Sequence, residues 1–200
     1  SLPNISNKLG DDIRTNNETL ISVSSLEKDK NYAKGIAIGS ILHTDENSHL
    51  EICRYSEGSN AWKLVHYPQV VGSNVLVRLA KVVVALVKSP LHYVKIYVQN
   101  GWAKSTVVLL FMQTLDSTIK FKRNIFGQLK SSMSSGKKPS PFIPESLQLL
   151  EAYSEIVNGK KTAFALETLA GIPSTAHILG GAVMGADASK GVIDKDNKVF

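Results

Sequence analysis

Runs with strand character follow one another directly in this 200-residue chain, joined by turn residues and not by helices in regular alternation. Leu20 to Ser24 alternates, and Gly35 to His43 is rich in Ile, Ala and Leu. Ser48 to Arg54 forms a third run, across the turn residues Thr44-Asp45-Glu46-Asn47. Thr106 to Thr114 and Thr118 to Arg123 read as a second hairpin, turning near Asp116-Ser117. A parallel sheet needs a crossover helix between successive strands, and that rhythm is missing. The expected class is therefore α+β, an antiparallel or mixed sheet with its helices packed on one face.

Helical spacing marks Asn74 to Val87, where Val75, Leu76, Leu79, Val82, Val83 and Leu86 recur. That pattern predicts an apolar stripe with Arg78, Lys81, Ala85 and Lys88 on the opposite face. Ser73 or Asn74 is the expected N-cap and Pro90 the stop. The segment is too short and too charged to span a bilayer, which takes about 20 apolar residues. Pro144 and Glu145 open another helix that runs through Ile156 to Asn158-Gly159. The serines and prolines from Ser131 to Pro144 read as a loop, and Thr162 to Ala170 as helix or turn.

A hydrophobic content of 43% with mixed charge predicts a folded core rather than disorder. The single cysteine, Cys53, excludes a disulfide framework and argues against a thiolate-rich metal site. No basic n-region or apolar h-region marks a signal peptide in the chain, which begins Ser-Leu-Pro-Asn. The net charge of +6 is unevenly spread: from Gly58 to Pro144 the only acid is Asp116, against twelve Lys and Arg. Such a block suits an acidic partner, an anionic membrane, nucleic acid or simply a contact with another domain. No element interleaves aromatic and basic side chains, so nucleic acid is not expected.

The dinucleotide fingerprint needs Gly at positions one, three and six, whereas Gly180, Gly181 and Gly185 occupy one, two and six. Neither a phosphate-binding G-x-x-x-x-G-K-[ST] loop nor a G-x-S-x-G elbow occurs. His177 stands three residues before the glycine pair, a base beside a backbone that can be approached closely. Spacing alone leaves a structural and a catalytic role open for it. His43, Asp45, Glu46, His49, Glu51 and Cys53 fall within eleven residues but match no metal-ligand spacing. On a strand His49, Glu51 and Cys53 share one face, so Glu51 is a candidate acid–base group facing a cleft or, equally, solvent. His66 and His92 read as surface or packing residues, and Trp62 and Trp102 as anchors.

Taken together, His177-x-x-Gly180-Gly181-x-x-Met184-Gly185, Gly191-Val192-Ile193-Asp194 and Lys198-Val199-Phe200 resemble the C-terminal signature of the glucose–methanol–choline (GMC) oxidoreductases. Within that family the chain is most similar to the bacterial cholesterol oxidase-like branch. Arg14-Thr15-Asn16-Asn17, the stretch from Leu109 to Asp116, Ile172 to Ala176 and the hairpin from His43 to Asn60 carry the likeness over nearly the whole chain.

The resemblance implies that residues 1–176 are a substrate-binding domain and that 177–200 lead back to an FAD-binding domain, which lies outside the chain. It implies FAD as cofactor, a sterol or other bulky hydrophobic alcohol as substrate, and His177 as the base while hydride leaves for the flavin. Glu51 is similar to the carboxylate that moves a proton when cholesterol oxidases isomerise the steroid double bond. Asn16 and Asn17 resemble a turn beside the flavin, and Gly180 and Gly181 are expected to let the flavin close in. Position 182 is Ala, where many relatives have Cys or another small residue. The chain alone is expected to bind no FAD and to be inactive. The same scaffold would also serve as a non-catalytic sterol- or lipid-binding module. For either use, the lysine-flanked helix from Asn74 to Lys88 is a candidate for peripheral membrane contact.

Overall fold

The computed structural model describes residues 4–27 and 29–200. It is an α+β protein, 27% helical and 30% strand. In chain order the strands and helices begin with β1 (Arg14–Thr15), β2 (Thr19–Ser25), β3 (Ile38–His43), β4 (Ser48–Cys53) and β5 (His66–Pro68). Next come α1 (Val75–Lys88), α2 (Pro90–Val98), α3 (Trp102–Ser105) and β6 (Thr106–Gln113). The chain finishes with β7 (Ser117–Arg123), β8 (Leu129–Gly136), α4 (Pro144–Ile156), β9 (Gly159–Phe164) and β10 (Ile178–Leu179). A 3-10 turn covers Asn60–Val65 and a five-residue π-helix Leu166–Ala170. These elements form two compact units: a larger one of Asn17–Thr114 and Ser140–Ser174, and a smaller one of the residues up to Asn16, Leu115–Pro139 and Thr175–Phe200.

The larger unit holds a six-stranded sheet in the order β3-β4-β6-β2-β9-β5, antiparallel at every pairing. Central β6, Thr-Val-Val-Leu-Leu-Phe-Met-Gln, is apolar almost throughout because both of its faces are buried. Ile21, Val23, Leu109 and Phe111 pack against Leu150 of α4 and the adjoining Val157. Their neighbours Leu20 and Val108 pack the other way, on Tyr93 and Ile96 of α2 and on Trp102. Adjacent residues of a strand point to opposite faces. Helices therefore cover both faces of the sheet, not one as expected, because β2 and β6 carry apolar side chains on both.

The predicted hairpin across the Asp45 turn and the helix opened by Pro144 are both present. In the turn, the Asp45 carboxylate accepts from the Asn47 N–H (2.6 Å) and the Ser48 hydroxyl (2.6 Å). The second predicted hairpin does not form. β6 pairs with β2 and β4, while β7 pairs with β8 in the smaller unit. β8, Leu-Lys-Ser-Ser-Met-Ser-Ser-Gly, takes in the first part of the loop expected from Ser131 to Pro144; it has no apolar alternation, and pairing with β7 makes it a strand. β9 likewise replaces the first part of the predicted helix or turn at 162–170. Pro90 stops α1 as expected but also opens α2 at its first turn, where a missing N–H costs nothing.

Asn74 caps α1, its side-chain oxygen accepting from the Val77 N–H at 3.0 Å. Only part of the predicted apolar stripe faces inward: Val82 is buried and Leu86 partly so, Arg78 is buried beside them, and Leu76, Leu79 and Val83 are exposed. Arg78 donates from Nη1 to the Gly72 carbonyl (2.8 Å) and from Nε and Nη2 to the Leu169 carbonyl (3.2 and 2.9 Å). Its guanidinium carbon lies 5.5 Å from the Phe142 ring centroid. Backbone carbonyls and an aromatic face meet the demands of this buried cation.

Glu167, on the π-helix, is 1% exposed and accepts from the Thr19 hydroxyl (2.8 Å), the Leu20 N–H (3.0 Å) and the Ser174 N–H (3.2 Å). It ties the start of β2 to the end of the larger unit's last segment. Burial raises its pKa, and the hydrogen bonds to Leu20, Thr19 and Ser174 oppose that.

In the smaller unit β1 pairs with β10 and β7 with β8, and Ile13 bridges to Ile119. Ile13 and Val192 are each 2% exposed.

Glu167→Ala should cost about 1–3 kcal/mol, since it leaves three buried donors without their acceptor. Because the folded pKa of Glu167 is raised, its contribution is whole below the ordinary carboxylate range and is lost as pH rises through the raised value. Glu167→Gln should flatten that slope in denaturant titrations run across pH, and an unchanged slope would contradict the assignment.

Candidate functional site

On β4 the two-residue period of a strand brings His49, Glu51 and Cys53 to one face. Across the sheet they lie opposite Met112, Leu110 and Val108 of β6, so their floor is apolar. His49 Nε2 lies 3.6 Å from Glu51 Oε1, and the Glu51 side chain is 17% exposed. Burial, then the charges of Glu51 and Glu18, push the Cys53 thiol up to about 11. That ordering places two carboxylates near one thiol. Glu18 is buried at 2% exposure, one residue before β2. It was missed in the sequence, although the alternation Glu18-Leu20-Ser22 extends β2 by one residue on this same face. Among the described residues no group of three or more His, Cys, Asp and Glu is placed to hold a metal ion.

His177, Asn16, Gly180 and Gly181 belong to the smaller unit, and Glu51 and Asn17 to the larger. β1 and β10 pair Thr15 with Ile178, so Asn16 and His177 are the next residues beyond that pair, at one end of the ribbon. His177 is exposed, and its carbonyl accepts from the Thr175 hydroxyl at 3.2 Å.

Gly180 and Gly181 have φ of 97° and 79°, in the left-handed region that favours glycine. A Cβ on Gly180 would run into the Asp12 carbonyl oxygen, and one on Gly181 would press on Ile13 at 3.1 Å. The Gly10 N–H donates to the Gly181 carbonyl (2.7 Å) and the Gly181 N–H to the Asp11 carbonyl (3.1 Å). This close approach to residues 10–13 is reason enough for both glycines. Asn17 also has an internal job: it is 4% exposed, has φ of 50° and donates from Nδ2 to the Gln113 carbonyl at 3.2 Å. Of the other histidines, His43 is exposed on β3, whereas His66 and His92 pack. His66 is 2% exposed, its ring 5.1 Å from that of Trp102, and burial lowers its pKa. His92 Nε2 lies 3.3 Å from the Ser24 carbonyl.

Over its whole length the chain is similar to curated proteins named cholesterol oxidase. It is 35% identical over 203 residues to one from Acinetobacter baumannii, and all of this chain aligns with 36% of that protein. Two Mycobacterium tuberculosis proteins of the same name, from strains CDC 1551 / Oshkosh and H37Rv, are 32% identical over 209 residues, with the same coverage. No protein-family model matches the chain, and no solved structure matches it significantly. The chain is thus a homologue, end to end, of part of these cholesterol oxidases, consistent with the cholesterol oxidase-like branch of the GMC oxidoreductases. It spans about a third of the length of the relatives it matches.

Removing the Glu51 charge should bring the Cys53 pKa down. Glu51→Gln is therefore expected to speed alkylation of Cys53 by iodoacetamide near pH 9, and an unchanged rate would place the carboxylate away from the thiol. Gly180→Ala should destabilise the smaller unit by about 1–3 kcal/mol, read from thermal unfolding, through its positive φ and the clash with Asp12.

Proposed function

We propose that this chain is the substrate-binding portion of an FAD-dependent oxidoreductase that oxidises the secondary alcohol of a sterol. The observation that carries the reading is end-to-end similarity to proteins named cholesterol oxidase. The exposed His177 beside Asn16 at the ribbon end adds to it. FAD would be held by a domain of the same protein outside this chain, since no dinucleotide fingerprint lies within it.

When bound, the flavin supplies the acceptor for the hydride that leaves the carbinol carbon. His177 takes the hydroxyl proton, the part of the chemistry that falls to this chain. A positioned base of this kind contributes about 100- to 10,000-fold. Glu51, shielded from water on an apolar floor beside His49, moves the proton that shifts the steroid double bond after oxidation. Its position on β4, paired on both sides by β3 and β6, favours a fixed carboxylate over a mobile one. Asn16 orients the groups at the ribbon end, while Gly180 and Gly181 hold the backbone of the smaller unit and Asn17 that of the larger.

The test uses the full-length protein with its flavin bound and cholesterol in detergent micelles. His177→Ala should lower kcat by about 100- to 10,000-fold with the flavin spectrum unchanged. Glu51→Gln should still oxidise the alcohol but release the ketone with its double bond unshifted. Normal turnover by the His177 variant would remove the base from the scheme, and normal isomerisation by the Glu51 variant would remove the proton carrier.

A further inference from the structure

A carboxylate that moves a proton between two carbons has to be held at one point, and a glutamate side chain does not hold itself. The floor beside Glu51 on β6 is Leu110, which offers its side chain no donor. The donor stands on the same strand. His49 and Glu51 are two residues apart on β4, so their side chains rise from one face about 7 Å apart. They lean together until His49 Nε2 lies 3.6 Å from Glu51 Oε1. An N–H···O hydrogen bond runs about 2.7–3.2 Å, so this is a close ion pair and not yet a hydrogen bond. Contacts of this kind are often long without substrate and tighten in the complex.

His49 is itself held from two sides. On β3 its cross-strand partner is His43, and the two rings lie 5.8 Å apart, tilted by 51°. On β6 its partner is Met112, which is buried. An imidazole has fewer rotatable bonds than a glutamate side chain, so packing on both sides fixes it at a smaller entropic cost. The Glu51 side chain, only 17% exposed, needs a donor in place of the water it has lost. Two other titratable groups of this face do not supply one. Cys53 is a weak donor, and Glu18 is a second carboxylate.

We propose that His49 is the positioning residue for Glu51. The proposal rests on the proton transfer assigned to Glu51 and adds the group that aims it. The imidazole N–H donates to Oε1 and leaves Oε2 to face the steroid. Oε2 takes the proton from the carbon between the ketone and the double bond, and the C–H electron pair passes into the enolate. The same oxygen returns that proton to the far end of the double bond, where the enolate pair forms the new C–H bond. Nothing is oxidised or reduced, and no co-reactant is consumed.

The test gives the full-length, flavin-bound protein the unconjugated ketone of cholesterol in detergent micelles and follows the ultraviolet band of the conjugated product. No hydride moves in this assay. A wild type that shifts the ketone but does not oxidise cholesterol therefore removes the oxidation reading and leaves this proposal standing. His49→Phe keeps a ring against His43 but has no donor. It should slow the shift about tenfold to a hundredfold, the cost of misplacing a reacting group by about 1 Å. His49→Gln keeps an N–H for Oε1 and should recover most of that rate. Added to Glu51→Gln, His49→Phe should cost nothing further, because it acts only through the carboxylate. The proposal is overturned by a wild-type rate in His49→Phe, by an equal loss in the Phe and Gln variants, or by a further loss in the double variant. A wild type that leaves the ketone unshifted overturns it as well, together with the role of Glu51.

Discussion

Burial of β2 and β6 on both of their faces is the constraint on which the larger unit rests. Leu20 and Ile21, and Val108 and Leu109, point in opposite directions and each needs a cover. α4 covers one face, and α2 with Trp102 covers the other. A fully buried Leu or Phe contributes about 1.5–3 kcal/mol, so Leu109 and Phe111 alone make the central strand hard to displace. β4 pairs directly with this strand, which fixes the register of His49, Glu51 and Cys53. The carboxylate inherits its place from a strand that has no freedom to slip.

Much of the architecture was legible because its signals are local. The Asp45 turn, the Asn74 cap and the Pro144 start each depend on residues within one turn of chain. The failures came where distant pairing decided the outcome. Nothing in Leu129 to Gly136 marks a strand until β7 is beside it, and nothing in Thr106 to Arg123 shows that its two halves belong to different units. In α1 the spacing marks a broad apolar stripe but not which part of it is covered: a buried arginine with three donors on two carbonyls holds the edge with Val82 inward.

The candidate residues stand out in the sequence, but their surroundings do not. His177 and Glu51 could be singled out from motif and alternation. Gly180, Gly181 and Asn17 looked like cofactor contacts, yet their surroundings in the fold account for them: Asp12 and Ile13 crowd the glycines, and Gln113 accepts from Asn17. Glu18 carries only the alternation with Leu20 and Ser22, and Glu167 stands as one acid in the apolar run Ala163 to Ala170; the fold shows both buried. Similarity to cholesterol oxidases covers all of the chain and about a third of those proteins. His177 lies in the smaller unit and the Glu51 carboxylate in the larger.

The central claim is that the chain serves alcohol oxidation by a bound flavin. Mixing the full-length protein with cholesterol under anaerobic conditions, while recording the oxidised flavin absorption band, tests it most directly. Loss of that band on mixing, with one ketone formed per flavin reduced, is the predicted result. A protein that carries no flavin, or whose flavin stays oxidised in the presence of the sterol, would contradict it.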